Sequence, residues 1–392
     1  MISRRSLLTS LPAASLAFSA CRRTAPAYPW YAYIANQEGE AIAALDLEVM
    51  AVAKHIPLKG SPTEVLTAET RPVVYALTPD TGTLHEISTG DLHVARQVKV
   101  ATRAHSMALA GDEKMLYITA LDPPSLVAVA VDSMQVAWKL GFPEMPVNLA
   151  IGVDRNEPNG GADLQLAAIS FGTCVRLVDL QHQQLGNPLA APAATGTWGQ
   201  VRFLSGAETL IAANLVDQQV SLYRTAPHSK TDTAQTSAQL ITHLPIAVRP
   251  DNLCFNHDGG QLFVTGEGMD AVVVIYPFDT PRVAETVLAG HAPGAMGVSD
   301  SLLFVASPES GDISILNIPT RKVIAITQVG SDPGFITITP NDRYALVLNR
   351  KSGDVAVIRI ADIAPNRYKA AGLLTVIPVG SKPVSAALHS VG

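Results

Sequence analysis

The sequence predicts an all-β fold, a β-propeller built from four-stranded blades, on three observations. A unit of short apolar strands and polar turns recurs along the chain, and a repeat of this length is typical of propellers and solenoids. Each unit opens with a short strand, usually after a proline, and continues with an apolar strand of the form x-Y-V-x-N. Hydrophobic residues make up 47% of the 392 residues but aromatic residues only 5%, which suits thin, closely packed sheets.

The opening strands set the register of the repeat. Successive openers are 42, 42, 52, 52, 43, 40 and 50 residues apart, and a four-stranded blade needs roughly 40 residues, so each step holds one blade. The three long steps contain polar insertions at 154–163, 226–237 and 361–371, which we expect on surface loops. The openers align at Pro62, Ala104, Pro146, Trp198, Pro250, Pro293, Pro333 and Pro383.

The two ends of the chain together complete one blade. The last unit stops after the opening strand Pro383–Leu388, whereas the first unit, 30–58, has the other three strands but no opener. We therefore expect the C-terminal strand to join the first blade and close the ring, because an open ring leaves unpaired strand edges. The prediction is eight blades in one domain, 30–392, with seven blades as the alternative if two units merge.

The units resemble the YVTN-type β-propeller repeat over roughly residues 30–392. The clearest copies are Val329–Gly334, Ile338–Asn349 and Val379–Pro383. Relatives of this repeat include surface-layer and secreted binding proteins, lactonase-like propellers, and eight-bladed propellers that hold a d-type haem. The resemblance implies the architecture and does not choose among these functions, because one fold hosts many activities.

The N-terminus predicts export and a lipid anchor. Residues 1–20 have a basic start with Arg4 and Arg5, a short apolar run and small residues before Cys21, as in a bacterial signal peptide. The Ser-Ala-Cys ending resembles a lipobox, in which Cys21 is lipidated and 21–29 form a tether; the alternative is a plain signal peptide. Ser3–Leu8 also resembles a twin-arginine signal, although paired arginines occur in ordinary signals. We expect a protein anchored in the cell envelope on the periplasmic side.

Charge and motifs exclude several classes of function. Without residues 1–20 the chain has 26 basic and 34 acidic residues, a net charge of −8, which disfavours binding to nucleic acid. The sequence has no motif for covalent haem, zinc proteases, a serine nucleophile elbow or a phosphate-binding loop, and no metal site is predicted. We expect Cys174 and Cys254 to be buried core residues, and we expect a monomer.

The candidate site is the mouth of the central channel. Opening strands line the channel of a propeller, so the residues just after each opener converge at one end of it. Glu64, His105 and Asp251 are the titratable members of this set. The alternative is that these polar groups only cap strand ends and solvate the channel. The candidate ligand-binding residues are Glu64, His105, Asn148, Gln200, Asp251 and Asn252, with His291 on a loop at the same mouth.

Acidic turns surround this mouth in the predicted topology. They lie in the loops between second and third strands and are opposed only by Arg350 and Lys351. A cluster of these carboxylates would attract cations or a basic partner, but Asp and Glu are also good turn residues. The acidic residues are Glu38, Glu40, Asp80, Asp122, Asp217, Glu267, Asp270, Glu309 and Asp312.

Three functions remain open at this stage. The first is a non-enzymatic binding or scaffold protein of the envelope, which presents the mouth to a small ligand or a protein partner, because no catalytic motif is found. The second is a propeller that holds or handles a cofactor such as d-type haem, with His105 or His291 as the axial candidate. The third is a lactonase-like hydrolase with Glu64 and Asp251 as acid and base.

Overall fold

The computed structural model describes residues 30–152, 165–191, 196–204, 208–225, 236–363 and 372–390. Within these residues, 32 strands form eight four-stranded antiparallel sheets, so the predicted all-β ring has eight blades and not seven. The predicted signal peptide, Cys21 and the tether lie outside the described residues, as does most of each polar insertion.

The first four blades occupy the N-terminal half of the chain. Blade 1 contains β1 (Trp30–Asn36), β2 (Ala41–Asp46), β3 (Ala51–Pro57) and the last strand of the chain. Blade 2 contains β4 (Glu64–Thr67), β5 (Val73–Thr78), β6 (Thr83–Ser88) and β7 (His93–Lys99). Blade 3 contains β8 (Arg103–Leu109), β9 (Met115–Asp122), β10 (Pro124–Ala130) and β11 (Gln135–Gly141). Blade 4 contains β12 (Pro146–Ile151), β13 (Leu166–Phe171), β14 (Val175–Asp179) and β15 (Gln184–Pro188).

The other four blades follow in the same order. Blade 5 contains β16 (Trp198–Phe203), β17 (Thr209–Asn214), β18 (Gln219–Thr225) and β19 (Ala238–Pro245). Blade 6 contains β20 (Asn252–Phe255), β21 (Leu262–Thr265), β22 (Ala271–Tyr276) and β23 (Arg282–Leu288). Blade 7 contains β24 (Met296–Val298), β25 (Leu302–Ser307), β26 (Asp312–Asn317) and β27 (Lys322–Gln328). Blade 8 contains β28 (Pro333–Ile338), β29 (Tyr344–Asn349), β30 (Asp354–Arg359), a 3-10 turn (Ile360–Asp362) and β31 (Leu373–Pro378), and β32 (Pro383–Ser390) returns to blade 1.

The C-terminal strand closes the ring as predicted. β32 pairs antiparallel with β1, with Ala387 opposite Tyr33 and Ser390 opposite Trp30, and becomes the innermost strand of blade 1. The innermost strands of successive blades contact one another around the whole ring, including β28 with β32 and β32 with β4. The first blade is therefore built from both ends of the described chain.

The hydrophobic core lies between the blades. The second strand of each blade is rich in Val, Ile, Leu and Ala, and β29 is buried along its whole length because neighbouring blades cover both of its faces. In the described residues each of the eight blade interfaces has its own buried cluster, such as Tyr33 with Val74 between blades 1 and 2. Burying one such side chain contributes about 1.5–3 kcal/mol, so the interfaces hold the ring together.

The innermost strand of every blade begins at the same face of the ring, which we call the mouth. Because the strands are antiparallel, the loops before the inner strands and the loops between second and third strands share this face. A β-bulge near the start of β8, β12, β16, β28 and β32 changes the direction of the side chains that follow the opener. The described mouth loops are 37–40, 58–63, 79–82, 100–102, 123, 142–145, 172–174, 189–191, 196–197, 215–218, 246–251, 266–270, 289–295, 308–311, 329–332, 350–353 and 379–382.

Candidate binding site at the mouth of the ring

At four of the eight blades, a polar side chain two residues after the opener joins the blade to the next one. These four side chains, which we call the inner belt, accept a hydrogen bond from a backbone N–H on the inner strand of the following blade. The four bonds run from Val65 N to Ser385 Oγ at 3.3 Å, Met107 N to Glu64 Oε2 at 2.6 Å, Val201 N to Asn148 Oδ1 at 3.0 Å and Leu253 N to Gln200 Oε1 at 3.1 Å. Three of the predicted ligand-binding residues therefore carry inter-blade contacts.

Glu64 is the belt member with unusual electrostatics. Burial raises the pKa of its carboxyl to about 7, against the lowering effects of the Met107 N–H and of the positive charge of Arg202. Burial also raises the pKa of the Cys254 thiol to about 11, and the charge of Arg202 again opposes it. Arg202 is on β16 and Cys254 on β20, so the guanidinium of blade 5 acts on groups of blades 2 and 6 inside the channel.

The structure corrects one prediction about the cysteines. Both are free thiols, and Cys174 is buried as expected. Cys254 is only half-buried. It lies on β20, the innermost strand of its blade, which borders the central channel on one side.

Arg202 is a channel residue that the sequence analysis missed. It is exposed, and no other described residue forms a hydrogen bond or ion pair with its guanidinium. The aligned repeat could have identified it. Arg202 stands four residues after the opener Trp198, at a position where the two preceding blades have the small residues Ala108 and Ala150.

The structure places the other candidate residues around the ring without bringing them together. Nε2 of exposed His105 lies 2.7 Å from the carbonyl oxygen of Val147. Asp251 forms an ion pair with Arg249 at 3.2 Å. Glu64 and Asp251 belong to blades 2 and 6, on opposite sides of an eight-membered ring. Asn252 begins β20 and pairs with Thr265 in the sheet.

His291 bridges two blades at the mouth. Its Nδ1 lies 3.0 Å from Asp270 Oδ2, and its Nε2 lies 3.1 Å from Glu309 Oε2. The hydrogen bond to Asp270 raises the pKa of His291, and the charges of Asp270 and Glu309 act in the same direction. Only the protonated imidazole donates from both ring nitrogens, so the two carboxylates favour the charged form.

Many of the acidic turns have local partners. Glu38 lies 3.4 Å from Lys382, Glu267 lies 3.2 Å from Arg249, and Asp80 accepts a hydrogen bond from the backbone N–H of Ser61. These contacts tie the loop between second and third strands to the loop that precedes an inner strand. Carboxylates still outnumber cations on the described mouth loops of blades 5–7, where Asp217, Asp251, Glu267, Asp270 and Glu309 face Arg249 and His291.

Large apolar side chains are exposed on the same part of the mouth. Val216 is 61% and Leu288 73% exposed, and both lie where a strand meets a mouth loop. The loops of blades 5 and 6 are adjacent, since a side chain at Gly268 would lie 4.0 Å from Nε2 of Gln218. The exposed apolar residues at the mouth of blades 4–6 are Met145, Val147, Val216, Met269 and Leu288, and we call them the apolar arc.

The described residues hold neither a metal centre nor a spanning helix. No group of three or more His, Cys, Asp or Glu side chains among them is arranged to hold a metal ion. None of them forms a helix with the length and hydropathy needed to cross a membrane.

Comparisons with known proteins show the fold. No protein-family model matches the chain, and no curated protein sequence matches it. Among solved structures, the dihydro-haem d1 dehydrogenase NirN in complex with DHE is 13% identical with a TM-score of 0.67, over 92% of this chain and 75% of that one. Apo AztD from Citrobacter koseri is 13% identical with a TM-score of 0.64, over 92% and 98%. A functionally unknown protein from Desulfotomaculum acetoxidans is 13% identical with a TM-score of 0.57, over 92% and 99%. At this identity the likeness defines the class of protein, a β-propeller, and leaves its function to the site.

Proposed function

We propose that this protein is a non-catalytic binding protein of the bacterial cell envelope, whose mouth docks a partner protein across blades 4–6. The observation that carries the proposal is the apolar arc, in which five exposed large apolar side chains lie on or beside the mouth loops of three successive blades. Large apolar side chains exposed in one sector of a soluble protein often mark an interaction surface. The carboxylates around the arc complement basic side chains, so the partner segment has apolar and basic residues.

The position of the first described residue supports a particular orientation for an anchored protein. Trp30 begins β1 at the face opposite the mouth, because β1 runs towards its mouth loop at 37–40. A nine-residue tether, 21–29, spans at most about 30 Å when extended. A lipid on Cys21 would therefore hold the opposite face near the membrane and direct the mouth away from it.

The docking proposal is tested by comparing two matched sets of substitutions. Val216→Ser, Met269→Ser and Leu288→Ser together remove most of the apolar arc, whereas Val49→Ser and Phe278→Ser remove exposed apolar side chains outside the mouth. We expect the first variant, but not the second, to lose at least tenfold affinity for a basic amphipathic peptide and for the envelope protein that wild type captures. Equal binding by wild type and the mouth variant, at equal folded content, contradicts the proposal.

The anchor has a separate test. Cys21→Ala removes the proposed lipid attachment, and each buried methylene of a lipid chain contributes about 0.8 kcal/mol to membrane binding. We expect the variant to leave the membrane fraction while the unsubstituted protein stays in it. Unchanged partitioning of the variant would show that Cys21 is not lipidated.

A second candidate function, binding of a small anionic ligand in the channel, is supported by Arg202. Its guanidinium has no ion pair with another described residue and shares the channel with Glu64 and Cys254. A carboxylate or phosphate would complete its hydrogen bonds. Arg202→Gln should abolish binding of such a ligand, and the exposed Arg224→Gln on β18 should not.

The haem and hydrolase alternatives have less support from the geometry. Both ring nitrogens of His291 are engaged by carboxylates, which does not fit an axial ligand, and His105 directs Nε2 to a backbone carbonyl. No contact couples Glu64 with Asp251 as an acid–base pair. The absorption spectrum of protein purified from its own host separates the alternatives, because a Soret band would select the haem-binding function.

A further inference from the structure

A cleft of about 710 Å³ lies on the mouth where blade 8 meets blade 1. Its walls are the loop between β29 and β30, the loop that leads into the closing strand β32, and residues from the neighbouring mouth loops. It is separate from the apolar arc, which occupies blades 4–6. The lining residues used below are Glu38, Asp332, Arg350, Lys351, Ser352 and Lys382.

The charges in the cleft do not cancel. Three cations, Arg350, Lys351 and Lys382, face two carboxylates. Arg350 Nη2 lies 2.6 Å from Asp332 Oδ1, and Lys382 Nζ lies 3.4 Å from Glu38 Oε1. Lys351 is exposed and forms no ion pair with another described residue. One positive charge is therefore left over on a face whose other loops are acidic.

The guanidinium of Arg350 is held in place at the wall of the cleft. Nε of Arg350 is inaccessible to solvent and has no hydrogen-bond partner, although the same guanidinium is held by Asp332. Gly334 makes room for this arrangement, because a side chain at that position would collide with the guanidinium. Nε lies against the backbone at Gly334 and is closed to the cleft, so only the accessible part of this guanidinium, which Asp332 holds in place, can meet a ligand oxygen.

We propose that this cleft binds a small oxyanion, a phosphate or carboxylate group carried by a soluble ligand. Lys351 supplies an unpaired point charge, Arg350 supplies guanidinium donors, and Lys382 is held only loosely by Glu38. Ser352 adds a hydroxyl at the same wall. The proposal does not depend on docking at the apolar arc, since none of these residues belongs to it.

Binding at this cleft stabilises closure of the ring. Lys382 directly precedes β32, and Arg350 directly follows β29, so a bound anion joins the closing loop to blade 8. A ligand that binds only the folded state stabilises it by RT ln(1 + [L]/Kd), so the melting temperature rises with the logarithm of the free ligand concentration above Kd. Occupancy of the site, measured directly by calorimetry, should saturate, which separates binding from a general response to salt.

The experiment measures thermal shifts and calorimetric binding of the full mature protein with inorganic phosphate and with citrate, at ionic strength matched with chloride. Phosphate and citrate separate a phosphoryl ligand from a carboxylate ligand. We expect one of them to raise the melting temperature and to give a saturable binding isotherm in calorimetry. Lys351→Gln should weaken that binding roughly tenfold, because one charge-assisted contact is lost, and Lys351→Arg should restore most of it.

Two further variants make the outcome decisive. Glu38→Gln removes one of the competing carboxylates and should tighten binding. Lys322→Gln, at an exposed lysine on the outer strand β27, should change nothing. The proposal is overturned if neither anion binds saturably, or if Lys351→Gln and Lys322→Gln shift the binding curve equally.

Discussion

The mouth has two regions that are built from equivalent loops of different blades but differ in their side chains. Across blades 4–6 the loops expose Val216, Met269 and Leu288 among carboxylates, whereas at the junction of blades 8 and 1 they form a cleft around Arg350 and Lys351. The strands beneath the two regions are nearly equivalent. The repeat therefore builds a framework that is common to all blades, and the side chains in the mouth loops determine what each sector can bind.

The last residue of the second strand makes different hydrogen bonds in the two regions. At the junction this residue is asparagine: Asn36 Nδ2 donates to Val379 O at 2.7 Å and Asn349 Nδ2 to Val329 O at 3.1 Å, both in the loop before the inner strand of the same blade. In blade 6 it is Thr265, whose hydroxyl donates to Gly294 O of the next blade at 2.6 Å. Asn214 at the same position of blade 5 pairs instead with Asp217 in its own turn. Asn36 and Asn349 therefore differ from it in holding the opener loops of their own blades, and these loops line the cleft.

The largest expected effect comes from breaking the junction itself. Removing residues 381–392 deletes β32, which supplies Ala386 and Leu388 to the core between blades 8 and 1 and Val384 and Ala387 to the core between blades 1 and 2. We expect a loss of roughly 5 kcal/mol or more of unfolding free energy. A chain that ends at Ser390 is the control. If the truncated protein melts within about two degrees of the control, the closure by β32 contributes little.

The next effect concerns the inner belt, which both regions share. The pKa of Glu64 is raised from 4.5 to about 7 in the folded protein, so the folded state binds the proton more tightly than the unfolded state. The corresponding stability is present below pH 4.5, falls as pH rises, and is lost above about pH 7. Glu64→Gln keeps an acceptor for Met107 N–H without the charge, so it should stabilise the ring by about 1–3 kcal/mol at pH 8.

Chemical denaturation of wild type and Glu64→Gln at several pH values checks this prediction. The difference between the two proteins should shrink towards zero as the pH is lowered to 4.5. Asn148→Asp is the matched comparison, because it places a carboxylate at the equivalent belt position and should reproduce the pH dependence in blade 4. A difference that stays constant between pH 5 and pH 8 would mean that the carboxyl of Glu64 is not buried.

A smaller effect distinguishes Asn349 of blade 8 from Thr265 of blade 6, which occupy the same position at the end of the second strand. Asn349→Ala removes the bond to Val329 O and should cost about 1–2 kcal/mol and weaken anion binding in the cleft. Thr265→Val should cost about 1 kcal/mol without changing anion binding, because Thr265 is remote from the cleft. Denaturant melts and phosphate titrations of both variants measure the two quantities. Equal loss of anion binding in the two variants would show that the hydrogen bond from Asn349 to the loop before β28 does not shape the cleft.

The sequence predicted the parts of this molecule that recur and missed the contacts that individual side chains make with residues distant in the chain. Eight openers, the composite first blade and the mouth loops follow from spacing and turn chemistry. The belt did not, because bulges in the inner strands redirect side chains such as Asn148 towards the next blade. Arg202 and the pairing of Arg350 with Asp332 were also missed, since their neighbours come from residues far apart in the chain.

The smallest effect is at the bridge between blades 6 and 7. Asp270, which is exposed, accepts a hydrogen bond from His291 and is the main reason that the pKa of His291 is raised above 6.5. Asp270→Asn should bring the pKa of His291 back towards 6.5, and Glu309→Gln should lower it less, because the Asp270 contact has the larger effect. The bridge needs the charged imidazole and ionised carboxylates, so it is formed near pH 6 and weakens as pH rises through the raised pKa of His291, which loosens the edge of the apolar arc. Titration of the His291 ring signals by NMR in wild type and both variants measures the order of the three values. Identical titration in all three proteins would show that neither carboxylate holds the imidazole of His291 in solution.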